Sequence, residues 1–400
     1  MKKNYDIIII GSGLSALATL YGIQKLNKSY KIALITGKPK FTIKQNHPKI
    51  FKDLLSFNKI LSHKLNSYDF SLPGNIGGLV FFWGEQCNIH DQKNKKKDHL
   101  QSQKFFSKFF ELKSGKRLFQ KKMNNLNIFF DTPDKTIRHK KIITKFKSFF
   151  KKKCKIYYNE AISINKNHVH LDSGNKIYAD KLFLCSGLVG TINLLKSIDS
   201  KINFTFKDHA PSIDFIYSKT EQLTNFSKNI YSMICKIYSN NNKIKIYSKF
   251  YPLRSLEILF FLGKLKFYLP KFILNYKFNI NKFLFVQKWD NNSISEYELI
   301  GSSLKRKKIN DGDFKNLSIV YKKLNYIKLF TFKPSFVNFH FHNLKIIKDD
   351  KKYKVNNFLK KINPNVYCPG LLSQETINCL PPSFNSFIKT SKYLKNILKK

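Results

Sequence analysis

A group of small residues near the N-terminus has the types and the spacing that bind phosphate. Gly11, Gly13 and Ala16 fit the pattern G-x-G-x-x-G/A within the stretch GSGLSA. In this pattern the first glycine makes a tight turn and the second lets a pyrophosphate approach the backbone. The small third residue lets a helix pack on a strand. The spacing therefore predicts a dinucleotide-binding turn.

The residues around this turn predict the elements that must position it. Ile7 to Ile10 form a branched-aliphatic run, which is typical of a parallel strand buried on both faces. Apolar residues then recur at helical spacing, and the helix N-terminus would point its free N–H groups at the phosphates. Lys2, Lys3 and the apolar run imitate a signal peptide, but Gly-Ser-Gly interrupts it and a second strand follows. A membrane span would need about twenty unbroken apolar residues, and none is present.

The end of the predicted second strand departs from the usual pattern. An acidic residue there normally binds the ribose hydroxyls, but this sequence has Thr36 followed by Gly37. We therefore expect a weaker ribose contact at this position, or one made by other groups.

A second glycine cluster surrounds a tryptophan. Gly77, Gly78 and Gly84 lie close to Trp83 in the stretch GNIGGLVFFWGE. Glycines let a backbone approach a flat ligand, and an adjacent indole ring can pack on it. A structural turn with a core tryptophan explains the segment equally well. The nucleotide-binding turn upstream favours the ligand.

Two histidine pairs alternate with apolar residues and so face one way along predicted strands. They are His168 with His170, and His340 with His342. An H-x-H pair can bind a metal ion, but no third ligand lies near the first pair, and histidines facing solvent explain that pair better. We predict no metal site.

The composition argues against nucleic acid as a partner. The formal charge is +48, yet among 73 basic residues only four are arginine, the residue that favours bidentate recognition of phosphates and bases. The lysines are spread along the whole chain, as on a solvated surface. The basic aromatic stretch 256–274 keeps peripheral contact with a membrane surface open as an alternative to a buried helix pair.

The six cysteines form no C-x-x-C pair. We expect reduced thiols and a cytoplasmic protein.

The rest of the chain alternates between predicted helices and strands. Residues 91–150 carry paired phenylalanines and are interpreted as helices covering the core. From Cys154 the period changes to two, which predicts a meander that ends in a buried strand before Ser186. Gly187 opens a second strand-glycine-helix junction aimed at the same ligand region. The stretch NVY predicts a late strand, and Pro381 and Pro382 fit the start of a C-terminal helix.

Several of these signals in order resemble the glucose-methanol-choline family of FAD-dependent oxidoreductases. They are the N-terminal turn, GGLVFFWGE, ADKLFLCSGLVGTINLL, FKDHAP, a late histidine, and NVY before a proline-led helix. The likeness is greatest to short members associated with sugar or surface-polysaccharide metabolism. It covers both ends and the middle of the chain.

The resemblance implies a role for each matching residue. The pyrophosphate of FAD would lie on Gly11, Ser12, Gly13 and Ser15 beside Ala16. The loop beside the flavin would contain Gly77, Gly78, Trp83 and Gly84. Ala161 would touch adenine through its backbone, and Gly187 would lie by the link between ribityl chain and adenine. The remaining cofactor contacts fall on Thr36 and Pro382. His340 would be the base that removes the substrate's hydroxyl proton, with His342 beside it.

Three positions depart from the family pattern. Thr36 replaces the acid, Asn343 replaces the glycine of H-x-x-G, and Pro381 occupies the position of a second histidine or asparagine. These departures motivate an alternative: a catalytically impaired flavin-binding or scaffold protein in surface-polysaccharide assembly.

The sequence thus predicts an α/β protein with an FAD-binding Rossmann-like domain, built of a parallel sheet plus a β-meander, and an antiparallel-sheet substrate domain. The predicted ranges are 1–210 for the FAD domain with a helical insertion at about 91–150, 211–340 for the substrate domain, and 341–400 for the C-terminal part of the FAD domain. The predicted activity is oxidation of an alcohol group of a sugar or polyol by hydride transfer to FAD. The electron acceptor is undetermined.

Overall fold

The structure is a computed structural model of the 400-residue chain. It describes the residues in the ranges 4–26, 28–37, 86–87, 97–123, 126–132, 134–135, 139–209, 212–219, 233–239, 244–252, 283–290, 293–301, 303–310, 312–332, 342–375 and 382–398.

Strands are the commonest elements in the described part of the chain. In order they are β1 (Tyr5–Ile10), β2 (Ile32–Thr36), β3 (Gln86–Cys87), β4 (Arg117–Met123), β5 (Leu126–Asp131), β6 (Asp134–Lys135), β7 (Lys155–Tyr158), β8 (Ala161–Ile164), β9 (His168–Leu171), β10 (Lys176–Leu184), β11 (Asn203–His209), β12 (Ser212–Ser218), β13 (Met233–Ser239), β14 (Ile244–Pro252), β15 (Phe283–Asp290), β16 (Ile294–Ile300), β17 (Ser303–Asn310), β18 (Tyr326–Phe332), β19 (His342–Lys348), β20 (Lys351–Lys354) and β21 (Val366–Tyr367). The helices are α1 (Leu14–Gln24), α2 (Lys97–Phe110), α3 (His139–Lys153), α4 (Gly187–Ile198), α5 (Lys315–Lys323), α6 (Val355–Ile362) and α7 (Pro382–Leu398).

The predicted α/β fold class is confirmed. The first sheet has the order β7-β2-β1-β10, and β21 adds to β10. These contacts are parallel, as expected from the continuous apolar runs in β1 and β2. The first half of β10 also pairs antiparallel with β9, and β9 with β8, which forms the predicted meander.

Two apolar cores flank the parallel sheet, because successive side chains of a strand point to opposite faces. Ile7 and Ile9 enter a core shared with α1, α2, α3 and α7. Ile8 and Ile10 enter the other core, shared with α4, α6 and a five-stranded antiparallel sheet. That sheet has the order β17-β16-β11-β19-β20. The parallel sheet is therefore the middle layer of three.

A seven-stranded antiparallel sheet has the order β18-β12-β15-β14-β13-β5-β4. Helix α5 covers one face of it through Leu317, Val320 and Tyr321. The strands within 211–340 are antiparallel, as predicted, and they belong to two sheets: β16 pairs with β11, and β17 pairs with β16, in the five-stranded sheet. The predicted domain boundaries stay a prediction.

The prediction of a helical insertion at about 91–150 is correct for α2 and α3 and wrong for residues 117–131. Strands β4 and β5 occupy that range, and β5 pairs with β13. Paired phenylalanines occur in both kinds of element, so they did not distinguish the helices from the strands. Phe106 and Phe110, one helical turn apart, are both fully buried in the core beside α1. Phe129 and Phe130 are neighbours on a strand, and only Phe130 enters the core under α5.

The buried His99 of α2 predicts a dependence of folding stability on pH. The ring is 1% exposed and its edge lies against Phe384 of α7. Burial lowers the pKa of His99 below its ordinary value of 6.5, and the nearby Lys392 lowers it further. The unfolded chain therefore binds a proton at a higher pH than the folded chain does. The stability contributed by neutral His99 is present above pH 6.5 and is lost as pH falls through 6.5 toward the lowered pKa.

Urea unfolding of wild type and His99→Leu at several pH values between about 7.5 and 5 would test this. We expect wild type to lose more stability than the variant on acidification. Parallel losses in both proteins would contradict the assignment.

No helix among the described residues combines the length and the apolar character needed to cross a membrane.

Candidate functional site

The glycine turn after β1 is wedged between the ends of two strands. Gly11 has φ +103°, a conformation that glycine adopts without steric cost. A Cβ atom on Gly11 would lie 2.3 Å from the carbonyl oxygen of Cys185, at the end of β10. The Gly11 N–H donates to the Ile35 carbonyl at 2.8 Å, and the Cys185 N–H donates to the Ile10 carbonyl at 2.7 Å. The predicted tight turn is present, and only glycine fits its first position.

Helix α1 begins directly after this turn with its N-terminal N–H groups uncapped by side chains. Gly13 is the N-cap residue, no side chain there makes a capping hydrogen bond, and the first turn carries no acidic residue. The third fingerprint residue, Ala16, is fully buried against the sheet. A helix start of this kind favours an anion, because its dipole and free N–H groups point at the same place.

Thr36, at the end of β2, contacts the turn itself. Its hydroxyl and that of Ser12 are hydrogen-bonded at 2.7 Å, and both residues are buried. The group that replaces the usual acid therefore helps to hold Ser12 in the turn. Its contact with a ribose stays a prediction.

We expect this hydroxyl pair to contribute about 1 kcal/mol to folding stability. The measurement is a double-mutant cycle with Ser12→Ala, Thr36→Val and both changes together, using urea unfolding. The coupling energy should equal the contribution of the hydrogen bond. Strictly additive effects would show that the two hydroxyls act independently.

The second glycine junction lies against the first, as predicted. Gly187 begins α4 with φ +71°, and the Ser186 nitrogen lies 2.7 Å from where a Cβ on Gly11 would be. Ser186 and Thr191 join their hydroxyls at 3.3 Å across the first turn of α4. The carboxyl ends of β1 and β10 and the starts of α1 and α4 therefore meet at one edge of the sheet, where ligands bind in folds of this type.

A third segment at this edge was missed from the sequence. Gly370 follows β21 with φ +99°, and a Cβ there would lie 2.4 Å from the Ser15 hydroxyl. The chain after β21 therefore passes at contact distance from the start of α1. The pair Pro369-Gly370 directly after a predicted strand was the only local signal.

The start of β19 is joined to this edge through Gln374. The Asn343 N–H donates to the Gln374 carbonyl at 2.8 Å. The Gln374 side-chain amide donates to the Gly370 carbonyl at 3.3 Å and to the Ser386 hydroxyl of α7 at 3.4 Å. The start of β19, the segment after β21 and the first turns of α7 thus come together.

His342 is the first residue of β19 and is fully buried. It lies opposite Lys207 of β11, next to an irregularity in the strand register. His340 lies outside the described residues, so their expected common orientation stays a prediction.

Asn343 has φ +51°, in the left-handed region. Glycine adopts this conformation freely, and asparagine tolerates it better than most residues. The replacement of the family's glycine by Asn343 is therefore compatible with the backbone at this position.

The other predicted contacts are placed as follows. Ala161 is the first residue of β8 and lies half-buried opposite Leu171. Pro382 begins α7, which confirms the predicted helix start. The loop residues Gly77, Gly78, Trp83 and Gly84, together with Pro381, lie outside the described part of the chain.

Two other groups with potentially reactive side chains are the Cys185 thiol and the pair of His168 and His170. Cys185 is a free thiol, and burial raises its pKa to about 12 although a hydrogen bond from Thr19 acts in the opposite direction. Such a thiol stays protonated and unreactive. His168 and His170 join their Nε2 atoms at 2.8 Å, and the described residues contain no set of three side chains that could hold a metal ion.

Comparisons with known proteins give a likeness of fold. No protein-family model matches the chain, and no curated protein matches it in sequence. Among solved structures, pyridoxine 4-oxidase from Mesorbium loti matches with a TM-score of 0.54 and 10% identity, over 99% of this chain and 100% of that one. The amino acid oxidase NikD gives a TM-score of 0.32 at 9% identity, over 99% of this chain and 94% of that one. The chain therefore shares an overall fold with pyridoxine 4-oxidase.

Proposed function

We propose that the protein is an FAD-dependent oxidoreductase that oxidises an alcohol group of a sugar or polyol. The observation that carries this proposal is the turn at Gly11, where the close approach of Cys185 leaves no room for a side chain. The fold shared with pyridoxine 4-oxidase, which by name is an oxidase, supports it.

The residues at the sheet edge fit the dinucleotide part of FAD. The pyrophosphate would lie on the backbone of Gly11, Ser12 and Gly13 at the start of α1, with Ser15 and Ala16 in its first turn. The resemblance assigns further contacts to a set that lies partly outside the described residues: Thr36, Gly77, Gly78, Trp83, Gly84, Ala161, Gly187 and Pro382.

When bound, FAD would supply the two-electron chemistry, as a hydride acceptor. His340 would accept the hydroxyl proton as the carbonyl forms, because an imidazole suits proton transfer near neutral pH. His342 would lie beside it as a neighbour in the site. A separate electron acceptor must then regenerate the cofactor.

The alternative is a flavin-binding or scaffold protein in surface-polysaccharide assembly that has lost turnover. Pro381 favours this alternative, since the side chain of proline can neither accept nor donate a proton where the family has histidine or asparagine. Thr36 favours it more weakly. Asn343 does not favour it, because asparagine tolerates the positive φ that the backbone has at this position.

The experiment is to purify the protein, record its flavin spectrum and mix it without oxygen with a panel of sugars, polyols and lipid alcohols. We expect a yellow protein that bleaches with at least one alcohol. Bound flavin that none of the panel reduces would support the alternative, and absence of flavin under all conditions would refute the oxidoreductase and leave only a scaffold without flavin.

A further inference from the structure

The meander β8-β9-β10 carries two imidazole rings on the face that points away from its apolar core. His168 and His170 are two positions apart on β9, so their side chains project from the same face of the strand. Val169 and Leu171 project the other way and are buried in the core shared with α4 and α6. Both histidines are half-buried and therefore reach solvent. We call His168 and His170 the histidine pair.

The rings of the histidine pair lie with their Nε2 atoms toward each other. These two atoms are 2.8 Å apart, and the ring centroids are 4.6 Å apart. Tyr178, opposite His168 on β10, packs beside the His168 ring with 5.1 Å between centroids. The Nδ1 atom of His168 lies 3.4 Å from the side-chain oxygen of Asn167. These contacts orient the ring of His168, so the pair is formed before any ligand binds.

The distance between the two Nε2 atoms matches the spacing of adjacent ligands on a square-planar metal ion. An imidazole nitrogen lies about 2.0 Å from a bound first-row metal ion, so two of them at a right angle are about 2.8 Å apart. In a tetrahedral site the same two nitrogens would be about 3.3 Å apart. Square-planar and tetragonal sites are typical of Cu(II) and Ni(II), and Cu(II) binds nitrogen ligands more tightly. The geometry therefore favours Cu(II).

The hydrogen bond within the histidine pair allows this exchange. Without a metal ion, one Nε2–H donates to the lone pair of the other Nε2. A metal ion needs both lone pairs, so the donor ring must carry its proton on Nδ1 instead. No net proton is released in this change of tautomer. When His168 carries its proton on Nδ1, that N–H points at Asn167, and ligating histidines usually donate their second ring N–H to such an oxygen.

Two features of the surroundings limit the affinity of such a site. A closed structural zinc site has four protein ligands, whereas the histidine pair offers two, which is why the sequence favoured histidines facing solvent. Water can occupy the remaining positions because the pair reaches solvent. Lys176, exposed on β10 opposite His170, repels a cation, although solvent and salt screen the two charges. We therefore expect an open site of moderate affinity.

We propose that the histidine pair is a binding site for Cu(II), with water in the other positions of the square plane. Once one nitrogen has bound, the second is held beside the metal ion at a high effective concentration. The pair should therefore bind Cu(II) more tightly than a single histidine does. This proposal concerns a site on the meander and does not depend on flavin or on the proposed function.

The test is calorimetric titration of the full chain, without an affinity tag, with Cu(II) in a buffer that does not bind metal ions. We expect His168→Gln and His170→Gln each to weaken binding about tenfold or more, because each removes the chelate. Lys176→Gln should tighten binding about two- to fivefold by removing the repulsion. His139→Gln is the matched control, since His139 has no histidine two positions away, and it should bind as wild type does.

Electron paramagnetic resonance of the Cu(II) complex identifies the ligands. We expect an axial spectrum with hyperfine structure from nitrogen in wild type, and loss of that structure in both histidine variants. Urea unfolding should show that both variants stay folded, because the two side chains are half-buried. Unchanged affinity in both variants would overturn the inference and place any copper elsewhere in the chain. Weakening by only one of the two substitutions would refute the pair as the site.

Discussion

Replacing Gly11 with alanine is expected to leave the protein without bound flavin and to destabilise its fold by about 3 kcal/mol or more. The new methyl group would lie 2.3 Å from the Cys185 carbonyl oxygen, which is backbone and cannot rotate away. The ends of β1 and β10 would have to separate, and the start of α1 would move with them. Urea unfolding and the flavin absorbance of the purified protein measure the two effects.

Gly174→Ala is the matched control for this change. Gly174 also has positive φ, +80°, but a Cβ there meets no atom within 4 Å. Its replacement should cost about 1 to 2 kcal/mol from backbone conformation alone and leave flavin binding intact. If Gly11→Ala were as stable as Gly174→Ala, the close approach of strand and turn would be refuted.

The second large effect is expected at His340. His340→Ala should slow flavin reduction by 10² to 10⁴, about 3 to 5 kcal/mol, which is typical of losing a general base. In an extended chain two residues span about 6.6 Å, so His342 cannot take over a proton that must move within about 3.2 Å. Because His342 is fully buried at the start of β19, its loss should act mainly on stability.

The measurement is anaerobic flavin reduction by a responsive alcohol, normalised to bound flavin, in His340→Ala and His342→Ala. A dead His342→Ala beside an unimpaired His340→Ala would reverse the assignment. Parental rates in both would mean that no histidine base operates here.

The glycine turn at Gly11 could be predicted from the sequence because the residues that specify it are close together in the chain. The glycine spacing, the strand Ile7–Ile10 and the helix after Gly13 lie within a few residues of one another, and each favours the same structure. The meander from Lys155 to Leu184 could be predicted in the same way, because its apolar and polar residues alternate with the two-residue period of a strand.

Contacts between distant segments could not be predicted in this way. Nothing near Ser15 in the sequence indicates that Gly370 lies against it, and the bond between Ser12 and Thr36 depends on how β2 ends beside the turn. The strands at 117–131 were missed because their lysines and paired phenylalanines resemble those of the neighbouring helices. β5 pairs with β13, more than a hundred residues later, and β4 pairs with β5 at the edge of the same sheet.

The packing of α7 on α1 has a consequence for synthesis on the ribosome. The two helices share one core, in which Gly22 approaches the backbone of Ser391, yet more than 350 residues separate them. At about 5 to 20 residues per second, α1 must wait roughly 20 to 70 s for its partner. During that interval the nascent chain exposes the apolar side of α1 that α7 will cover. This apolar surface therefore stays exposed for longer than in a chain whose early elements pair with their neighbours, and we expect chaperones to bind α1 during that interval.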